Sequence, residues 1–279
     1  VSQWAEKNRR LSPESSAEAG PWRNERTPYL VDIMDAFTDP KVNKLTVVAA
    51  SQVGKSEVEL NIIGYIIDQD PGSTIYVQPT LDDARKFSRL RIAPMIRDSK
   101  PLRKKVSDVK TRDSGNTILQ KSFPGGMLTI TGSNSPSALA STPARYIIGD
   151  ERDRWASSAG TEGDPWALAE ARQTTFYNAK SIEVSTPTIK GASNIENGFF
   201  AGTQERWCHK CPDCGEYHKR EEEMLSGGVQ SYGIGTRNAT RYQTDLSAIR
   251  KAIKEMEDEI ASLENKSQRR AVGVVPRDW

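Results

Sequence analysis

The junction at residues 45–56 constrains this chain more than any other part of it. Leu45-Thr46-Val47-Val48-Ala49-Ala50 is an apolar run rich in β-branched residues, the composition of a buried strand. It leads directly into Ser51-Gln52-Val53-Gly54-Lys55-Ser56, and the next stretch, Glu57 to Asp68, reads as a helix closed by Pro71-Gly72. A strand that turns into a helix through Gly-Lys-Ser aims backbone N–H groups, those of Gln52 and Val53 among them, at one point where they can cradle phosphate. The pattern G-x-x-x-x-G-K-[ST] is met except that Ala49 stands at the first glycine position. Gly54 lets the backbone approach closely, Lys55 brings a charge to the β- and γ-phosphates, and the Ser56 hydroxyl suits a Mg²⁺ position.

The rest of the first 220 residues supports the same architecture. Thr74-Ile75-Tyr76-Val77 reads as a second strand, and Leu81 to Ile96 as a helix broken or kinked at Pro94. Thr117-Ile118-Leu119 and Met127-Leu128-Thr129-Ile130 flank Pro124-Gly125-Gly126, a hairpin signal. Tyr146 to Gly149 and Ile182 to Ser185 are further short strands. Strands alternating with helices predict an α/β fold, a P-loop NTPase with a mainly parallel central sheet flanked by helices. The strand at Tyr146 ends in Asp150-Glu151, where Asp150 is placed to organise Mg²⁺ and Glu151 to take a proton from an attacking water. The strand at Ile182 ends in Ser185-Thr186, within reach of a γ-phosphate or its water.

Charge separates along the chain although the net charge is only +2. Arg85 to Arg112 holds eleven Lys and Arg against two Asp, whereas Glu255 to Glu264 is acidic with no Lys or Arg. The basic stretch, with Arg103-Lys104-Lys105 at its densest, predicts contact with a polyanion backbone such as DNA. The longest apolar stretch, Ile62 to Ile67, is too short to span a bilayer, so no membrane role is expected. The N-terminus has no apolar core of a secretory signal, and it begins with Val rather than Met, as in a fragment or a processed chain.

Ordered strings extend the reading beyond single residues. Arg26-Thr27-Pro28-Tyr29-Leu30, Ser51 to Ser56, Val77-Gln78-Pro79-Thr80, Phe123-Pro124-Gly125-Gly126, Asn134-Ser135-Pro136-Ser137, Gly163-Asp164-Pro165 and Ser185 to Ser193 together resemble the large terminase subunit of tailed bacteriophages, in its lambda GpA-like branch. The resemblance runs from about Trp22 to Cys214. It implies an ATP-driven motor, with ATP and Mg²⁺ as cofactors, that moves double-stranded viral DNA into a preformed capsid. The implied partners are a small terminase subunit, the capsid portal and further copies of the chain, in the host cytoplasm during assembly. Within it, Tyr29 resembles part of the adenine-side segment, and Ser185 and Thr186 the motif that couples hydrolysis to movement. Many relatives carry an Arg where this chain has Ser51; the compensating charge would come from Arg145, Arg152, Arg172 or a neighbouring subunit. The acidic metal cluster of a nuclease domain is not evident after Cys214, so no endonuclease activity is expected. Two rival readings are a head–tail connector carrying a remnant ATPase and another P-loop DNA translocase such as a helicase. Intact Lys55, Asp150 and Glu151 oppose the first, and the Gln78-Pro79-Thr80 and Ser185 to Ser193 strings oppose the second.

The three cysteines, Cys208, Cys211 and Cys214, are spaced C-x₂-C-x₂-C. Cys-Pro-x-Cys-Gly is the turn of a zinc knuckle, but structural Zn²⁺ takes four ligands, and the fourth would have to be His209 or His218. Beyond residue 220 the character changes, which predicts domains at 1–220 and 221–279. Leu246, Ile249, Ile253, Met256, Ile260 and Leu263 form one apolar stripe at helical spacing, with Thr240 and Gln243 as a capping box. This predicts a small helical C-terminal appendage. Ser231-Tyr232-Gly233-Ile234-Gly235, Asp245 to Arg250 and Val275 to Asp278 resemble small gpW-like head-to-tail joining proteins.

Overall fold

The phosphate-loop strand, β1 (Lys44–Ala49), lies inside an eight-stranded sheet whose other members all follow it along the chain. The structure is a computed structural model that describes residues 1–14, 16, 18–106, 116–189, 192–210, 217–219 and 269–274. The remaining strands are β2 (Thr74–Gln78), β3 (Gln120–Phe123), β4 (Gly126–Gly132), β5 (Tyr146–Gly149), β6 (Lys180–Ser185), β7 (Glu205–Arg206) and β8 (Arg269–Val274). Their spatial order is β3-β4-β2-β5-β6-β1-β8-β7. Every neighbouring pair is parallel except the β3–β4 hairpin at one edge. The expected α/β architecture with a mainly parallel sheet is therefore present. Strands β1, β5 and β6 run side by side in the order β5-β6-β1, so the three segments singled out for chemistry end on one edge of the sheet.

Burial on both faces explains the strand sequences. Tyr146, Ile147, Ile148 and Gly149 are all buried, as are all five residues of β2, so these strands read as apolar runs rather than alternating patterns. The helix Lys55–Asp68 is buried over most of its circumference, including Val58, Leu60, Ile62, Ile63, Ile66 and Ile67. The Trp4 indole packs where a Cβ on Gly64 would stand, at 2.3 Å, so this helix must carry glycine there to accept the N-terminal helix Ser2–Asn8. Residues 1–30 are rich in polar and charged side chains, yet Trp4, Ala5, Trp22 and Leu30 enter the main core.

Three local readings shift. The first hairpin strand is Gln120–Phe123 rather than Thr117 to Leu119, because the turn is only Pro124-Gly125 and the strands close directly onto it. The helix from Leu81 is interrupted at Ser88–Ile92, where it widens into a π-helical turn, and not at Pro94. Pro94 follows directly, as the second residue of the next α-helical segment, Ala93–Asp98, and has no N–H to give to the preceding turn. Finally, β8 belongs to the stretch expected to form a separate appendage, yet it pairs with β1 from Arg269↔Lys44 to Val274↔Ala49. The stripe from Leu246 to Leu263 lies outside the described residues.

Candidate active site

Local backbone geometry builds the loop before any side chain acts. Gly54 caps the helix Lys55–Asp68 with φ +85°, a left-handed conformation that favours glycine, and Gln52 takes φ +63° two residues earlier. Across the site Glu151 is also left-handed, at φ +51°. Non-glycine residues in this region are uncommon, and they persist where surrounding structure over-determines them. Gly149, just before the two acids, has tryptophan on one side: a Cβ there would stand 2.7 Å from the Trp166 ring and 2.9 Å from Trp155. The Trp155 indole N–H donates to the Asp150 carbonyl at 2.7 Å, so this aromatic pair pins the backbone at the strand end.

The Lys55 side chain joins all three expected segments. Its Nζ lies 2.7 Å from Glu151 Oε1 and donates to Thr186 Oγ1 at 2.6 Å. Both residues, Lys55 and Asp150, are buried, at 8% and 4% exposure. Ser185 sits one residue back: its Oγ accepts the Asp153 backbone N–H at 3.1 Å. The Asp153 carboxylate in turn accepts the N–H groups of Thr188 and Ile195, at 3.0 and 2.9 Å. The turn after the acids is thereby tied to the segment after β6. Tyr29 reaches the same loop, its hydroxyl donating to the Val53 carbonyl at 3.1 Å and its ring meeting Trp207 edge-on.

Asp150 belongs to a buried polar network that the sequence motifs do not announce. Its Oδ2 accepts from Gln78 Nε2 at 2.9 Å and faces the Tyr76 hydroxyl at 3.3 Å. Gln78 also donates to Tyr76 at 2.7 Å, and Tyr76 donates to Glu59 Oε2 at 3.0 Å. Burial pushes the Asp150 carboxyl above the ordinary carboxylate range; the Gln78 hydrogen bond opposes this and the Glu151 charge reinforces it. Burial pushes Glu59 up further, with the nearby Asp150 charge adding to it. Asp150 Oδ1 is buried and meets no donor among the described residues. An orphan carboxylate oxygen within electrostatic reach of Lys55 fits a hard divalent cation, which seeks oxygen donors. The only advance sign of Glu59 is an acid set between the apolar residues Val58 and Leu60.

Residues 16–241 match the family described as "Phage terminase large subunit gpA, ATPase domain". The chain belongs to this terminase family. The terminase large subunit of Enterobacteria phage P21 is 27% identical over 235 residues, and that of Escherichia phage lambda 28% over 235 residues. Each alignment takes in 84% of this chain but 36% of the relative, so the terminase chain spans about a third of these curated proteins. The crystal structure of the large terminase of bacteriophage HK97 has the same fold, with a TM-score of 0.58 at 15% identity, over 95% of this chain and 52% of that one. The tail, expected to resemble gpW-like joining proteins, instead matches a family of unknown function over residues 214–279.

In this terminase chain the expected arginines are engaged elsewhere. Arg145 forms a two-pronged pair with Asp70 at the opposite end of β5, and Arg172 donates to the Ala140 carbonyl. Arg152 is buried, 2.9 Å from Asp164 and stacked over Trp155. An arginine that the motifs did not suggest pairs with one of the acids: exposed Arg154, with Nε 3.5 Å from Glu151 Oε2. The Arg103-Lys104-Lys105 cluster lies on the helix Lys100–Lys105, far from the loop. Lys105 Nζ pairs with Asp68 Oδ1 at 3.0 Å, thirteen residues along the helix from Lys55, which is about 20 Å. Arg103 and Lys104 are exposed. Lys110 and Arg112 lie outside the described residues, as do Cys211 and Cys214. Cys208 is partly exposed, its Sγ 3.7 Å from the Arg206 carbonyl. The backbones of His209 and His218 face each other across a short antiparallel pair. Among the described residues no group of three His, Cys, Asp or Glu could hold a metal, which leaves the zinc expectation without support. No helix among them is long and apolar enough to cross a membrane.

Proposed function

We propose that this chain is the ATP-hydrolysing part of a viral DNA-packaging motor. The observation that carries the reading is the meeting of Lys55, Glu151 and Thr186 at one point, where the ends of β1, β5 and β6 converge. In the proposed cycle the phosphate oxygens of ATP replace Glu151 as the partner of Lys55. That exchange frees the Glu151 carboxylate to accept the proton of an attacking water. Backbone N–H groups of Gln52, Val53 and Gly54 hold phosphate, and Tyr29, already bonded to the loop, flanks the adenine side. Ser56 and Asp150 would hold Mg²⁺, which when bound offsets charge on the phosphates. Thr186 loses its donor when Lys55 turns to phosphate, and Ser185 is tied to Asp153. A change at the phosphates is thereby passed to the segment around Thr188 and Ile195.

Double-stranded DNA is the proposed cargo, contacted in part by Arg103 and Lys104. A small terminase subunit, the portal and other copies of the chain are its proposed partners in the host cytoplasm. We further propose that the ATPase unit of residues 1–220 takes β8 into its sheet. The zinc knuckle and the joining-protein role of the tail rest on sequence pattern alone. The test of the main reading is ATP binding and turnover with and without DNA. Lys55→Ala should abolish binding, and Glu151→Gln should keep binding and stop turnover. Parental turnover in Glu151→Gln would remove Glu151 as the base.

A further inference from the structure

Glu59 is costly where it stands. It points from the phosphate-loop helix into the core and is fully buried. Oε2 accepts from Tyr76, but Oε1 meets no donor among the described residues. A carboxyl so placed destabilises a fold relative to a leucine, because its desolvation is only partly offset. A second buried carboxyl, Asp150, lies across the same tyrosine hydroxyl, which adds repulsion. The flanking residues Val58, Leu60, Ile62 and Ile63 are apolar and need no acid to pack. A local rule broken at a stability cost beside reactive groups points to a functional reason.

We propose that Glu59 is a positioning residue for Asp150, acting through the Tyr76 hydroxyl and the Gln78 amide. The proposal rests on Asp150 as a holder of Mg²⁺. Its physical basis is proton direction. Tyr76 has one hydroxyl proton and two carboxyl oxygens within reach, Glu59 Oε2 at 3.0 Å and Asp150 Oδ2 at 3.3 Å. Glu59 draws that proton to itself. The tyrosine oxygen then accepts one Gln78 N–H at 2.7 Å, and the amide gives its other N–H to Asp150 Oδ2 at 2.9 Å. Gln78 is locked by two acceptors, Asp150 is held by one oxygen, and Oδ1 stays unengaged for a cation. Without an acceptor at position 59, the tyrosine proton turns to Asp150 Oδ2. That second donor withdraws negative charge from the carboxylate and competes with Gln78 for its orientation. The network spans the phosphate-loop helix, β2 and the end of β5, so it also sets the register between the loop and the acid.

The experiment compares Glu59→Leu and Glu59→Gln in the full chain by three measurements. These are thermal unfolding without metal or nucleotide, calorimetric ADP binding with and without Mg²⁺, and turnover against Mg²⁺ concentration. Glu59→Leu should raise the unfolding midpoint yet weaken the Mg²⁺-dependent part of ADP binding. Its Mg²⁺ requirement for turnover should rise by about 10- to 100-fold, the usual loss when a group behind a metal ligand is removed. Glu59→Gln retains an acceptor for Tyr76 and should recover most of the Mg²⁺ affinity. Parental Mg²⁺ dependence in Glu59→Leu would overturn the proposal, and so would a glutamine variant as impaired as the leucine one. Should Glu59→Leu not fold, Tyr76→Phe removes the hydroxyl and keeps the ring, and parental Mg²⁺ dependence there overturns the proposal equally. Failure of the site reading itself looks different: a parent protein whose ADP binding does not respond to Mg²⁺, or a Lys55→Ala variant that still binds nucleotide, would overturn both.

Discussion

Ending the chain after Gln268 should cost the protein a large share of its stability, because it removes β8 from beside the phosphate-loop strand. Strand β8 pairs with β1 over six positions, Arg269↔Lys44 to Val274↔Ala49, and on its other side joins Glu205 and Arg206 of β7. A parallel ladder makes roughly one backbone hydrogen bond per paired residue, and each is worth about 1 kcal/mol net. The β1 side alone then contributes about 6 kcal/mol, against the roughly 5–15 kcal/mol that holds a typical native fold. At about 2–4 °C per kcal/mol for a domain of this size, the unfolding midpoint should fall by about 12–24 °C. Truncation also turns an apolar interior strand into a sheet edge, which favours aggregation. Thermal unfolding, light scattering and ATP turnover of the full chain and of the chain ending at Gln268 test this together. A chain lacking residues 275–279 serves as control, since it keeps β8. A truncated chain that melts at the parental midpoint and keeps parental turnover would refute β8 as part of the ATPase sheet.

Two further predictions concern charge. If Arg103 and Lys104 contact DNA, replacing both by Gln should weaken duplex binding uniformly across sequences and reduce the salt slope by about 1 per lost contact. Lys105→Gln should leave that slope unchanged and lower the unfolding midpoint slightly, because Lys105 is committed to Asp68; filter binding at several salt concentrations distinguishes the two cases. The Arg97 guanidinium, helped by the Ser12 hydroxyl, holds the Asp98 carboxyl down at about 2. The unfolded value is about 3.9, so the pair's contribution is present above that pH and is lost as pH falls toward 2. Asp98→Asn should therefore flatten the acid side of the stability profile while changing little of its shape above about pH 5; an unaltered acid limb would refute the assignment.

Much of the site was legible because its chemistry demands residues in a short span. Gly54, Lys55 and Ser56 must follow a strand and open a helix, and Asp150 and Glu151 must end one, so strand-like runs beside them suffice to place each motif. Ser185 and Thr186 were legible as a strand end for the same reason. Glu59, Tyr76 and Gln78 were not, since they come from one helix and one strand seventeen or more residues apart and meet Asp150 only when β2 pairs with β5. Nor were the partners of the arginines: Arg145 sits close to Asp150 in sequence but at the other end of β5, against Asp70.

By itself, then, the sequence determined what is local: the strand–loop–helix of the phosphate site, the acidic strand end, the hairpin turn and the parallel α/β class. These follow from side-chain periodicity, glycine conformation and turn chemistry, which act over a few residues. Only the tertiary structure decided the strand order, the burial of Trp4 and Trp22, and the placement of β8 beside β1. It also decided that Lys55 meets Glu151 and Thr186, and that a buried acid stands behind Asp150. Those outcomes depend on which distant surfaces close on one another, and burial sets that choice through the summed packing of the whole core rather than through any one segment.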